Sequence, residues 1–227
     1  MISNKKIFFY NLLIIQILGL ILMGTSGCAG AIFGPLFLLK GTDVPALFKK
    51  EVKEIPKESK IVVICRSSLN LFGDENPSGD LSRCITYLME DKLSKKKFEW
   101  IPYDKVEESF DDESLMLESF SKMGKKVKAD YVIGVDMDDF NIHLSSQFYQ
   151  GRSKLNVKLI QVETGEIIAQ NSMPQFIYPP TPIINTDIHS SEFQKKFIGK
   201  LANEVGSLFY PHDPHGNVAM DTDFPAR

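Results

Sequence analysis

The sequence is poor in the residues that usually carry chemistry. It has 3 cysteines, 4 histidines and 1 tryptophan in 227 residues. There is no C-x-x-C, so neither a redox pair nor a zinc knuckle is indicated. There is no G-x-S-x-G and no glycine-rich loop ending in Lys-Ser/Thr, which leaves nucleophilic and phosphoryl-transfer chemistry without a motif. The EF-hand pattern is missing as well. The net charge is −3 and the only lysine cluster is Lys95-Lys96-Lys97. A nucleic-acid binder would want a basic patch. That cluster falls at the expected end of a helix, where cations suit the helix dipole.

Charge is absent altogether from residues 7–39. Lys5 and Lys6 precede this stretch, residues 7–23 (IFFYNLLIIQILGLILM) form an apolar run, and Gly24-Thr25-Ser26-Gly27-Cys28 follows. A basic start, an apolar middle and small residues before a cut site describe a secretory signal peptide. Ser26, Gly27 and Cys28 resemble the lipobox of bacterial lipoproteins, whose signal peptidase cuts before a lipid-modified cysteine. Thr25 departs from that motif, which prefers Leu at its position. The resemblance implies a signal peptide over residues 1–27, palmitate-type acylation at Cys28 and a protein held at a membrane. One acyl chain binds only reversibly, and the several chains of a bacterial lipoprotein imply a durable anchor. The alternative for the same residues is an uncleaved membrane helix. It is weakened by Gly24, Gly27, Gly30, Gly34 and Pro35, which interrupt the run.

Loss of Lys5 and Lys6 with the leader would take the net charge from −3 to −5. About 200 residues would remain, enough for one domain with a real core. With Cys28 lipidated, Cys65 and Cys84 are left, and two cysteines in an oxidising compartment form a candidate disulfide. The alternative is two separate buried thiols.

Residues 28–59 read as a membrane-proximal linker, apolar first and then charged. KIVVIC (60–65) is a β-branched run and predicts a buried strand. A loop rich in Ser, Asn, Gly and Pro precedes a helix over 80–95, with Ser78 or Asp80 as its cap. FEWIPY (98–103) predicts a strand at an edge or end, because Pro102 cannot donate to a ladder. A second helix is expected over 109–126. Strands follow over 129–142, 154–162 and 167–178, the last two joined by the turn Glu163-Thr164-Gly165-Glu166. Tyr178-Pro179-Pro180-Thr181-Pro182 reads as a rigid loop. Ser190 or Ser191 is expected to cap a long last helix with the stripe Phe193, Phe197, Ile198, Leu201, Val205, Leu208 and Phe209. The tail over 211–227 is polar and expected to be disordered. The order β-α-β-α-β-β-β-α predicts an α/β two-layer sandwich over 60–210, one mixed sheet of about five strands with three helices.

The segment Ala129-Asp130-Tyr131-Val132-Ile133-Gly134, followed by 155–162 and Glu163-Thr164-Gly165-Glu166-Ile167, resembles a pattern of bacterial envelope proteins. It is similar to the α/β domain shared by the curli-secretion lipoprotein, the penicillin-binding-protein activator lipoproteins and the amino-terminal domain of the Tol–Pal propeller protein. The Tyr178-Pro179-Pro180 and Phe209-Tyr210-Pro211-His212-Asp213 segments resemble those of uncharacterised lipoproteins. The resemblance implies partner binding or self-assembly, with no catalytic residues to carry over.

Other candidates each have a plainer reading. His212-Asp213-Pro214-His215 has metal-ligand residue types but sits in the tail. Asp136, Asp138 and Asp139 suggest a carboxylate pair or simply a polar strand end. Tyr178, Pro179 and Pro180 form the candidate interaction loop, since a rigid turn loses little entropy on binding. The reading is a non-catalytic, lipid-anchored periplasmic protein without cofactor or metal that binds envelope proteins and no nucleic acid. The alternative is an oligomeric part of an outer-membrane export assembly. The polar residues Ser145, Ser146, Gln147 and Gln150 disfavour a pore-lining strand there.

Overall fold

The structure is a computed structural model, and it describes residues 43–67, 76–110 and 118–213. Its compact unit begins at Val44. The helices are α1 (Lys49–Glu54), α2 (Pro77–Lys92), α3 (Asp104–Glu107), α4 (Phe120–Lys126) and α5 (Ser190–Ser207). The strands are β1 (Lys60–Ser67), β2 (Glu99–Ile101), β3 (Tyr131–His143), β4 (Phe148–Gln161), β5 (Ile167–Ser172) and β6 (Phe176–Ile184). They form one mixed sheet in the order β2-β1-β3-β4-β5, with β6 also on β4. β1 runs parallel to β2 and β3, and the remaining pairs are antiparallel. This is the expected α/β architecture with one more strand and two more helices.

β1 shows why the sheet has a helix layer on one face and a partial layer on the other. Ile61, Val63 and Cys65 point into one core with Leu81, Ile85 and Met89 of α2 and Phe193, Phe197 and Leu201 of α5. Val62 and Ile64 point into a second core with Tyr103, Val106, Phe120 and Met123. A strand buried on both faces needs an unbroken apolar run, because successive side chains point to opposite sides. The second core covers the β2-β1-β3 end and takes in Ile160 and Val162 at the end of β4, whereas Lys154, Asn156 and Lys158 earlier in β4 make that face polar.

Several boundaries differ from the sequence expectation for definite reasons. The body starts before residue 60: Phe48, Val52 and Ile55 are buried in the first core, and Val44 pairs with His212. The linker reading missed them because lysines and glutamates surround each apolar residue. The α2 cap is Asn76, whose side chain accepts from the Gly79 N–H at 2.8 Å, rather than Ser78 or Asp80. α5 begins after His189 without a side-chain cap, so neither Ser190 nor Ser191 fills that role. Within 109–126 the described helix is only α4, capped by Ser119, and 111–117 lie outside the described residues. The expected edge strand is β2. The Thr-Gly turn closes as read, with the Gly165 N–H bonded to Gln161 O at 2.9 Å and Gly165 at φ 74°.

Candidate interaction surface

The segment expected to be a loop, Tyr178, Pro179 and Pro180, lies inside β6. β5 and β6 share the outer edge of β4, separated by Met173, Pro174 and Gln175. The β4–β6 ladder pairs Gly151 with Tyr178 and then Tyr149 with Ile183, so four residues of β6 bulge opposite Gln150. Prolines supply no N–H, and an edge bulge is where a strand tolerates them. The Gln150 side chain fills the bulge. Its Nε2 donates to Pro179 O at 3.1 Å and Pro180 O at 3.3 Å, and its Oε1 accepts from Arg152 at 3.1 Å. The Tyr178–Pro179 peptide is cis.

Tyr178 does not project outward. Its ring stacks toward Phe193 of α5 at 6.5 Å, with the Lys200 ammonium 5.5 Å from the ring centre. Below it, Phe197 lies between Phe140 at 5.5 Å and Phe176 at 6.2 Å. Gly151 is required there, since a Cβ on it would meet the Phe197 ring at 2.5 Å. Tyr178 therefore closes the margin of the first core, leaving Ile177, Pro180 and Thr181 as the exposed part of the segment.

The open part of the second face carries a charge cluster. Asp136 of β3 accepts from Arg66 Nε of β1 and from Lys158 Nζ of β4 at 2.9 Å. Arg66 also donates to Glu118 O at 3.0 Å and lies 4.2 Å above the Phe120 ring. Burial pushes the Asp136 carboxyl up. The hydrogen bonds and charges of Arg66 and Lys158 outweigh that and hold it below the usual carboxylate range. Asp138 shares this face, and Asp139, at φ 54°, pairs with Lys154 at 3.0 Å. Beside them Asn156 Oδ1 accepts from Gln170 at 3.1 Å and Ser172 at 3.3 Å.

At the tip of the β3–β4 hairpin three apolar side chains are exposed. Leu144, Phe148 and Ile184 are 41%, 37% and 48% exposed. Phe148 is opposite Ile184 in the ladder, and the Leu144 N–H donates to Phe148 O at 3.0 Å. Residues opposite one another in adjacent strands are on one face with Cβ atoms about 5 Å apart.

The remaining sequence candidates separate. Cys28 lies outside the described residues. Cys65 and Cys84 are free thiols, the first buried and the second half-buried. Burial pushes Cys65 to about 12 and Cys84 to about 11. His212 is tied by its backbone to Val44, at 2.8 and 3.2 Å, while Pro214 and His215 lie outside the described residues. Among the described residues no group of three His, Cys, Asp or Glu side chains could hold a metal. A shallow hollow near Lys125, Lys128, Asp130 and Glu163 is of mixed charge, and its Asp130 accepts from the Lys60 N–H at 2.7 Å. Among the described residues no helix is long and apolar enough to cross a membrane.

No family model and no curated protein matches the sequence. Solved structures do resemble it. The lipoprotein GNA1162 from Neisseria meningitidis is 13% identical, covers 65% of this chain and 97% of its own, and has a TM-score of 0.39. A PelC dodecamer from Paraburkholderia phytofirmans is 10% identical, with 68% and 89% coverage and a TM-score of 0.38. The LpoB C-terminal domain from Salmonella enterica is 17% identical, with 57% and 92% coverage and a TM-score of 0.34.

Two features of the surface were missed in the sequence. Arg66, Asp136 and Lys158 are 70 and 22 residues apart, and nothing local links them. The exposed apolar residues were legible only as an absence of charge over 144–151 and 173–186.

Proposed function

We propose that this chain is a non-catalytic, lipid-anchored protein of the cell envelope that binds or scaffolds partner proteins in the periplasm. The observation that carries the reading is the run from Lys5 to Cys28, charge-free over residues 7–39, placed ahead of a separate compact body. Acylation at Cys28 supplies the membrane attachment. The body supplies an open sheet face on which polar groups pair with one another: Asp136 with Arg66 and Lys158, Asp139 with Lys154, and Asn156 with Gln170 and Ser172. Groups already engaged in this way suit a recognition surface better than acid–base chemistry, which needs a titrating group near the operating pH.

The test has two parts. Labelling cells with an alkyne palmitate analogue should tag the wild-type chain and not Cys28→Ser, and Cys28→Ser should leave the membrane fraction. Cross-linking in intact cells followed by mass spectrometry should join the chain to a different envelope protein. A ladder of self-adducts alone would overturn the binding reading in favour of an oligomeric export component.

A further inference from the structure

β1, β2 and β3 run parallel, so the turns that feed them meet at one end of the sheet. Each turn carries lysine: Lys57 ahead of β1, Lys95-Lys96-Lys97 ahead of β2, and Lys125 and Lys128 ahead of β3. Hydrogen bonds tie the turns together. Glu58 N–H donates to Lys97 O at 3.0 Å, Glu99 N–H to Ser59 O at 3.0 Å and Asp130 N–H to Lys60 O at 2.8 Å. Lys96 Nζ reaches Val52 O at 3.4 Å, and Pro56, Ser59, Lys125 and Lys128 line one shallow hollow. Adjacent strands are about 4.8 Å apart, so the three turns fall within about 10 Å across the sheet. That is close to a Debye length at physiological salt, and their fields add.

Among the described residues none of these six lysines has an ion pair, and five of them are exposed. The acids at this end offset them only in part. Glu99 pairs with Lys60 at 3.8 Å, and Asp130 accepts from the Lys60 N–H at 2.7 Å. Glu58 in the first turn and Glu163 and Glu166 of the neighbouring hairpin turn remain. Positive charge is thus concentrated at one end of a chain whose net charge is −3. The dipole of α2 does not account for it. That helix ends at Lys92, Lys95-Lys96-Lys97 lies beyond it, and the dipole acts within the last turn.

These lysines suit a charged surface better than a compact anion. A single phosphate or carboxylate is gripped best by the planar fork of arginine, and no arginine is in these turns. Ammonium groups spread over three turns act as a diffuse field, each worth about fivefold in attraction to an anionic bilayer. Apolar side chains stand close by. The six-residue α1, about 9 Å long, leads into the first turn. Ahead of it Val44 and Leu47 are 40% and 60% exposed. Lysines beside exposed apolar side chains are the composition that seats on an anionic lipid surface. With Cys28 acylated, the sixteen residues from there to Val44 keep the body within at most about 55 Å of the bilayer. That length does not choose the face that meets the lipid; the lysines do.

We infer that the lysine-rich end formed by the turns before β1, β2 and β3 rests on a bilayer surface of anionic phospholipid. This rests on the anchored reading above. The full-length acylated chain is reconstituted in vesicles of phosphatidylcholine alone or of phosphatidylcholine mixed with phosphatidylglycerol. Acetylation by an amine-reactive reagent, followed by mass spectrometry, then reads each lysine. Lys57, Lys97 and Lys128 should be protected at least fivefold in the anionic vesicles at low salt. Protection should fall at high salt and be absent in phosphatidylcholine, while the exposed Lys195 of α5 labels equally throughout. Lys95→Glu/Lys97→Glu/Lys128→Glu should abolish the protection of Lys57 with circular dichroism unchanged. Equal protection in both vesicles, protection that survives high salt, or none overturns the inference. Protection in intact cells but not in vesicles, the sign of a protein or polysaccharide partner, overturns it too. Vesicle flotation separates the two readings. A chain that floats with both vesicle types without protection overturns this inference alone, and one that floats with neither overturns the anchored reading with it.

Discussion

Asp136→Asn isolates the Arg66–Asp136–Lys158 cluster on the open face. The three side chains of the cluster are about one-fifth exposed, at 20% for Asp136, 23% for Arg66 and 20% for Lys158. Breaking a fully buried ion pair costs about 3–5 kcal/mol, whereas an exposed pair contributes about 0–1 kcal/mol. The cluster lies between these limits. Asparagine keeps one acceptor oxygen but leaves two cations facing each other over Phe120, so we expect a loss of about 2 kcal/mol. For a domain of 150–250 residues, that is a fall in Tm of about 4–8 °C. The pH dependence fixes the cause. A carboxyl with a lowered folded-state pKa contributes stability above its unfolded value of about 3.9 and loses it as pH falls through the folded value. The Tm gap between wild type and Asp136→Asn should therefore be full at pH 7 and shrink toward pH 3. Thermal unfolding by circular dichroism across this range is the assay. A gap under about 1 °C at pH 7, or one that persists unchanged at pH 3, would refute the electrostatic account.

Three further outcomes follow from the packing. Gly151→Ala drives a methyl into the Phe197 ring, and overpacking of this kind should destabilise the body by about 1–3 kcal/mol, read by urea unfolding. Gln150→Ala strips the donors from Pro179 O and Pro180 O, which should lower stability by about 1–2 kcal/mol, while Gln150→Glu, which cannot donate, should do no better. In the reduced chain, Cys65 and Cys84, held near 12 and 11, should react with a thiol reagent at pH 8 at least tenfold more slowly when native than when unfolded. Fast native labelling of Cys65 would contradict its burial.

Elements with a strong period were legible in the sequence. β1 read as an unbroken β-branched run because it is buried on both faces, and α5 read from its apolar stripe because one face meets the sheet. What failed was set by partners distant in sequence. Three prolines in residues 179–182 argue for a loop until Gln150 and the edge position of β6 are known. Asn76 was passed over as a cap because it ends a loop before Pro77, although proline in the first turn of a helix is itself a start signal. Phe48, Val52 and Ile55 were hidden among charged neighbours and find their place only against the last turn of α5 and the first core. The exposed apolar residues were least visible, because Leu144, Phe148 and Ile184 come from a loop, β4 and β6, and none of these segments has a signature of its own.

The sheet edges bear on how a partner engages. An unpaired strand edge is a template for strand addition. Here one edge is β2, three residues long, and part of the other is β6, carrying Pro179, Pro180 and Pro182. Pro179, Pro180 and Pro182 offer no N–H to an incoming strand, and the bulge opposite Gln150 bends β6 away from a flat template. Only the six residues of β5 remain unprotected among the described strands. Recognition through the edge is thus restricted to β5, and recognition through the open face meets side chains that already neutralise one another.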